Sequence, residues 1–160
     1  GAHYNPAVTI GLFLRGATEK ADVIPYIAAQ LIGAWLAASA AQFLTGQTFA
    51  PAPGADASMV QALAAEVIFT FALVLVIMNV ATSKATEGNS YFGLAIGFTV
   101  LVGAFAVGGI SGGAFNPAVG VGITIMGLSK VANIWIFLVG NLLGGALAAI
   151  VFKAVNPDDK

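Results

Sequence analysis

The tetrapeptide Asn-Pro-Ala-Val occurs twice in this chain, at residues 5–8 and at residues 116–119, and its surroundings repeat with it. Shifted by 111 positions, the sequence overlays on itself without a gap over residues 1–38. Gly1 falls on Gly112, Gly11 on Gly122, Gly16 on Gly127 and Asp22 on Asn133. Leu31, Gly33, Leu36, Ala37 and Ala38 fall on Leu142, Gly144, Leu147, Ala148 and Ala149. Chance matching in a chain rich in Ala, Gly and Leu does not readily align a Pro-containing tetrapeptide together with its flanking glycines. The chain therefore reads as an internal duplication, which restricts it to folds built from two like halves.

What the halves are made of follows from hydropathy. Four stretches, residues 21–44, 58–80, 91–108 and 131–155, reach the roughly 20 apolar residues that a membrane-spanning helix needs. Only 8% of the 160 residues are charged, against about 25% in a soluble domain. A mean hydropathy of +0.94 and 20 glycines complete the picture of helices packed closely in lipid. Asp22 is placed to cap the first span, with Pro25 in its first turn, and Asn133 to cap the last. Residues 45–57, with Pro51 and Pro53, read as an irregular loop, and 81–90 as a short polar one. With 81–90 in the cytoplasm, Arg15, Lys20, Lys84, Lys153 and Lys160 lie inside and only Lys130 outside, the bias expected of a membrane protein.

The second copy carries two spans before its Asn-Pro-Ala, whereas the first has none before Gly1. Symmetry predicts about 55 residues and two spans ahead of Gly1 in a complete copy. No charged leader precedes an apolar run, so no signal peptide is expected. Three spans per copy would invert the second copy about an axis in the membrane plane. The fold class expected is an all-α membrane protein: an inverted-repeat helical bundle with two re-entrant half-helices, four of six spans present. It forms one transmembrane domain over 1–160, in which 1–44 is the remainder of the first repeat, 45–57 an extracellular loop and 58–155 the second repeat.

The half-helices come from the motifs. Residues 6–15 would make about 15 Å of helix, half the hydrocarbon thickness of about 30 Å, and residues 117–126 the same. Asn5 and Asn116 are favoured N-caps, Pro6 and Pro117 lose no hydrogen bond at the first helical position, and Ala7 and Ala118 let two helix ends approach. Capping through the side-chain oxygen leaves both NH2 groups to donate into a lumen. The positive dipole ends of the two helices disfavour cations there. Residues 1–4 and 112–115 would run as irregular backbone at membrane depth, tolerated where it is buried or lines a watery cavity. The expected product is a narrow, uncharged passage lined by donors and acceptors.

The segments Gly1-Ala2-His3-Tyr4-Asn5-Pro6-Ala7-Val8-Thr9 and Ser111-Gly112-Gly113-Ala114-Phe115-Asn116-Pro117-Ala118 resemble those of the aquaporin, or major intrinsic protein, family, as does Tyr26-Ile27-Ala28-Ala29-Gln30-Leu31-Ile32-Gly33-Ala34. The resemblance runs over essentially the whole chain. It implies an aquaporin-like bundle, a homotetramer with one pore per subunit, and passive flow of water or small neutral solutes across a cell membrane, expected to be the plasma membrane. By family spacing Ala104, Gly113 and Val119 line the outer constriction. Family channels usually carry Arg where this chain has Val119, and many water-selective members carry His where it has Ala104. The implied filter is wide and lacks its cationic barrier.

Glu66 is the one charge inside a predicted span and should face the bundle or a cavity. The resemblance implies that it supports the second re-entrant loop by accepting backbone N–H bonds. His3 reads as a packed, hydrogen-bonded loop residue, with a pH-sensing role as the alternative. Gly93 with Gly97, and Gly140 with Gly144, form small faces for helix packing, and Trp135 an interfacial anchor.

A net charge of −1 without a basic block gives no footprint for nucleic acid. With no cysteine and a single histidine, no metal centre, cofactor or catalytic triad is implied, and an enzyme is not expected. Two other readings stay open: a facilitator of glycerol, ammonia or peroxide, favoured by the Arg-free filter, and a nonconducting membrane scaffold of the same fold. The lipid bilayer is the one surrounding partner that composition demands.

Overall fold

In the computed structural model, residues 1–46, 53–54 and 56–159 are described. They form six α-helices: α1 (Pro6–Arg15), α2 (Lys20–Thr45), α3 (Met59–Ala81), α4 (Phe92–Ser111), α5 (Pro117–Ile125) and α6 (Ile134–Val155). Two short 3-10 turns, Lys84–Thr86 and Val131–Asn133, sit in the connections. Most of the loop expected at 45–57, and Lys160, lie outside the described residues. Four helical stretches are long and apolar enough to cross a bilayer, and α1 is a shorter apolar helix of 10 residues.

The helix starts follow their capping chemistry. Ser58 opens α3 with a reciprocal capping box: its hydroxyl accepts the N–H of Gln61, whose side chain accepts the N–H of Ser58. Two expected caps are corrected. Glu19, not Asp22, precedes α2, and neither bonds the helix start through its side chain. Asp22 instead lies within the first turn, where a carboxylate suits the positive dipole end, and Pro25 falls inside the helix beyond that turn. Asn133 does take the N-cap position of α6, but it ends a 3-10 turn in a helical conformation (φ −97°, ψ −5°) and makes no side-chain capping bond. The preceding turn leads the chain into α6, so no side-chain stop is required.

The core lies where α1, α3 and α6 meet: Val8, Leu12, Val74, Met78, Ala148, Ala149 and Phe152 are all buried together. Glycine makes that proximity possible. A Cβ added at Gly144 would lie 2.6 Å from the Val67 carbonyl oxygen and 2.8 Å from the Phe71 nitrogen, and one at Gly140 would lie 3.0 Å from Glu66 Cβ. The Gly140/Gly144 face therefore packs α6 onto α3 within the chain. Gly93 and Gly97 have no neighbour within 4 Å of an added Cβ, so the second small face is unpaired among the described residues.

The two copies exchange their half-helices. α1 packs mainly on α6 and α5 on α2. An added Cβ at Gly11 would meet the Gly145 carbonyl oxygen at 3.1 Å, and one at Gly122, its repeat equivalent, would meet the oxygen of Ala34, the equivalent of Gly145, at 3.7 Å. Reciprocal pairing, in which i meets j and the equivalent of j meets the equivalent of i, is the signature of a two-fold relation. The duplication is thus folded as an inverted pair.

Candidate pore site

Both half-helices begin as their motifs dictate. The Asn5 side-chain oxygen accepts the Ala7 N–H at 2.9 Å, and that of Asn116 accepts the Ala118 N–H at 2.9 Å. Each Asn is extended, with φ −154° and −160°, and each is followed by Pro at the first helical position. Such a cap stabilises a helix by about 1 kcal/mol. The far ends also match: Gly16 and Gly127 both leave in the left-handed region, at φ 98° and 74°. α1 spans the predicted 6–15, while α5 stops one residue short of the predicted 117–126, with Met126 as its C-cap.

The two amide groups are less free than capping alone suggests. Asn5 Nδ2 donates to the Phe115 carbonyl at 2.8 Å, and Asn116 Nδ2 donates to the Tyr4 carbonyl at 2.9 Å. Each motif thus spends one amide hydrogen on the residue just before the other motif's Asn. This revises the expectation that both hydrogens of each amide are available to a lumen: a side-chain amide has two, and one remains. The cross-bonds obey the same reciprocity as the helix packing, and they latch the two helix starts together.

The latch depends on irregular backbone. Residues 1–4 and 112–115 form no regular element. Ala2, Tyr4 and Phe115 adopt positive φ, at 64°, 52° and 47°, as does Gly113 at 64°. Ala2 and Gly113 are repeat equivalents, as are Tyr4 and Phe115, so the unusual backbone is duplicated along with the motif. A non-glycine residue in this region costs about 1 kcal/mol, and here it turns the Tyr4 and Phe115 carbonyls across to the opposite motif.

Buried side chains brace these loops. Glu66, fully buried on α3, accepts from Ser111 Oγ at 2.7 Å, from the Ala114 N–H at 3.0 Å and from the Phe115 N–H at 2.8 Å. Nearby, Thr70 Oγ1 donates to Asn141 Oδ1 at 2.8 Å, tying α3 to α6. On the other loop, His3 Nδ1 lies 3.1 Å from Thr9 Oγ1, and the His3 ring stacks on Tyr26 with centroids 4.4 Å apart. Thr9 also donates to the Asn5 carbonyl and accepts from Gln30 Nε2.

A cavity of about 700 Å³ lies beside both motifs, and its lining includes Asn5, Asn116, Val119, Leu12, Phe92 and Ile96. Val119 is 42% exposed and also borders an apolar groove between α2 and α5. Ala104 and Gly113 lie against each other, an added Gly113 Cβ falling 3.5 Å from Ala104 Cα, but neither lines that cavity. The structure therefore brings Asn5, Asn116 and Val119 around one space, with Gly113 and Ala104 next to each other beside the loop that leads to Asn116. Among the described residues no group of three or more His, Cys, Asp or Glu side chains is placed to hold a metal.

At one end of the bundle Arg15 closes α1. Its guanidinium donates to the Thr82 carbonyl at 2.8 Å, pairs with Asp159 at 3.2 Å and lies 4.6 Å above the Phe152 ring. Asp159 also accepts from the Lys84 N–H. Hydrogen bonding from Ser83 first, then from the Lys84 backbone, with the positive charges of Arg15 and Lys84, holds the Asp159 carboxyl below its ordinary value against the opposing cost of desolvation. This knot was not legible from sequence, because its residues come from three segments far apart along the chain.

Among the described residues, an all-helical bundle with inverted halves, two short helices opened by the motifs and four spans fit for a bilayer is an aquaporin-like membrane architecture. Comparison with known proteins agrees. The family description "Major intrinsic protein" matches residues 1–152. The chain is 34% identical to aquaporin NIP1-1 of Zea mays, 38% to aquaporin NIP1-3 of Oryza sativa subsp. japonica and 36% to aquaporin TIP4-2 of Zea mays. Those alignments cover 100%, 100% and 97% of this chain, but 57%, 56% and 61% of the relatives. The chain thus spans a little over half the length of these relatives. Among solved structures, the aquaglyceroporin from Plasmodium falciparum superposes with a TM-score of 0.85 at 25% identity, over 98% of this chain and 74% of that one. The chain belongs to the major intrinsic protein family.

Proposed function

We propose that the protein is a passive transmembrane channel for water and small neutral solutes, with Asn5 and Asn116 as donors at the pore midplane. The observation that carries this reading is the reciprocal latch. It fixes both amides at the edge of one cavity and leaves each with one hydrogen to give. A water molecule accepting from both has its own hydrogens turned away along the pore, which interrupts the donor–acceptor order that proton hopping needs. The two helix N-termini add roughly half a positive charge each, a barrier to cations. Pro6, Ala7, Pro117 and Ala118 shape the helix starts, and Glu66 and His3 support the loops. Ala104, Gly113 and Val119 line the outer constriction of each subunit's own pore, and the subunits assemble as a homotetramer.

A second reading, a facilitator of other small neutral solutes such as glycerol, ammonia or peroxide, is favoured by Val119, whose uncharged side chain lines the cavity. One experiment separates the two. The complete protein is reconstituted in proteoliposomes, and shrinkage is followed by stopped-flow light scattering under sucrose and under glycerol. Fast shrinkage in sucrose that Asn5→Leu/Asn116→Leu abolishes establishes the water pore, and rapid re-swelling in glycerol adds the broader class. Shrinkage no faster than in empty vesicles, from folded protein, rejects the water channel and leaves a nonconducting scaffold or a channel for a solute other than these.

A further inference from the structure

The latch is supported unequally on its two sides. Tyr4, whose carbonyl receives the Asn116 amide, is 79% exposed. Its equivalent Phe115, whose carbonyl receives the Asn5 amide, is 1% exposed. The Phe115 ring lies against Phe69 of α3, with centroids 5.5 Å apart, and over Gly103 of α4. There is no room at Gly103 for a side chain. An added Cβ would sit 2.6 Å from Phe115 Cε2 and 2.9 Å from both Phe115 Cζ and Phe69 Cδ1. Gly103 is helical, so no special backbone conformation explains the glycine; the Phe115 ring does. The neighbouring glycines of α4 differ, since Gly93 and Gly97 face open space.

We infer that Gly103 is a positioning residue for Asn5: it vacates the volume in which the Phe115 ring is wedged, and so aims the Phe115 carbonyl at the Asn5 amide. Phe115 has positive φ, which a non-glycine residue keeps only where its surroundings impose it. Two restraints do so. Glu66 holds the Phe115 N–H from one side, and the ring is pinned between Phe69 and Gly103 on the other. Together they decide which hydrogen of the Asn5 amide is bound and which faces the cavity. A helix of the second repeat thereby sets the donor of the first. The functional consequence rests on the pore reading above; the geometric claim does not.

The test uses the complete protein with isotope-labelled asparagine and reads the side-chain amide resonances of Asn5 and Asn116 in membranes, each assigned by its loss on substitution. Gly103→Ala is expected to push the ring outward and weaken the Asn5 bond by about two- to tenfold, the range for one net hydrogen bond. The Asn5 amide then shifts toward its unbonded position while Asn116 stays, and water permeability per folded channel falls. Phe115→Leu in the Gly103→Ala background, which relieves the crowding, returns Asn5 toward the wild-type resonance. Gly93→Ala, on the same helix in open space, leaves it unmoved. An unshifted Asn5 amide in folded Gly103→Ala, or a shift that Phe115→Leu does not reverse, overturns the inference. If Gly103→Ala does not fold, Phe115→Ala with Gly103 intact removes the wedge directly: a shifted Asn5 amide supports the inference and an unshifted one overturns it. A wild-type protein that passes no water refutes the pore reading alone, because the resonances still decide the wedge.

Discussion

Glu66 shows how much a single buried group can hold. Its carboxylate accepts from the Ser111 hydroxyl at the end of α4 and from the Ala114 and Phe115 N–H groups of the loop that leads to Asn116. Removing it strands two buried backbone donors, each costing about 1–3 kcal/mol. Glu66→Ala is therefore expected to lower stability by about 3 kcal/mol, read as an earlier thermal unfolding midpoint in detergent. An unchanged midpoint would show that water or a rearranged loop replaces it. The position of Glu66 was legible, since a lone charge in an apolar span has to find partners inside the bundle. Asn5 and Asn116 were legible as caps for a similar reason, because capping is local chemistry. The cross-bonds were not. They depend on positive φ at Tyr4 and Phe115, and neither an exposed Tyr nor a buried Phe announces a left-handed backbone as glycine would.

Among the elements, the half-helices were the easiest to read and the long helix starts the hardest. Pro and Gly bracket α1 at both ends, so its limits are written in the residues. α2 has no side-chain cap, and Asp22 and Asn133, equivalent in the repeat, both misled for want of a bond to make. Glycine pairs four residues apart carried a real signal of packing but not of its partner. Gly140 and Gly144 meet α3 backbone, whereas Gly93 and Gly97 meet nothing among the described residues. The difference gives opposite signs. Gly144→Ala places a Cβ 2.6 Å from a carbonyl oxygen and should destabilise by about 1–3 kcal/mol through overpacking. Gly93→Ala meets open space and should gain up to about 1 kcal/mol of helix propensity. Thermal unfolding of the two variants beside wild type checks the pair, and equal shifts would remove close packing as the explanation for Gly144.

At the scale of the molecule, the duplication and the charge bias together set the frame, and both could be read along the chain. What could not is the fastening of the end that the charge bias assigns to the cytoplasm. There Arg15 joins the end of α1 to the Thr82 carbonyl after α3, and Asp159 joins both to the Lys84 N–H at the start of the following turn. Ala81 and Thr82 also line the cavity beside the motifs, so the fastening borders that cavity. The Asp159 carboxyl is held below its ordinary value, chiefly by Ser83, so it binds fewer protons folded than unfolded near that value. Its contribution to stability is complete above the unfolded value of 3.8 and is lost as pH falls through the lower folded value. No change in this contact is therefore expected across the physiological range, and the fastening is a fixed structural tie rather than a neutral-pH switch. Asp159→Asn, which removes the charge but keeps the shape, should unfold earlier than wild type at neutral pH, and the gap should close in strong acid once the wild-type carboxyl is protonated. Melting curves of the two proteins at a series of pH values test this, and a gap that persists unchanged in strong acid would show that charge on Asp159 is not what ties the loop down.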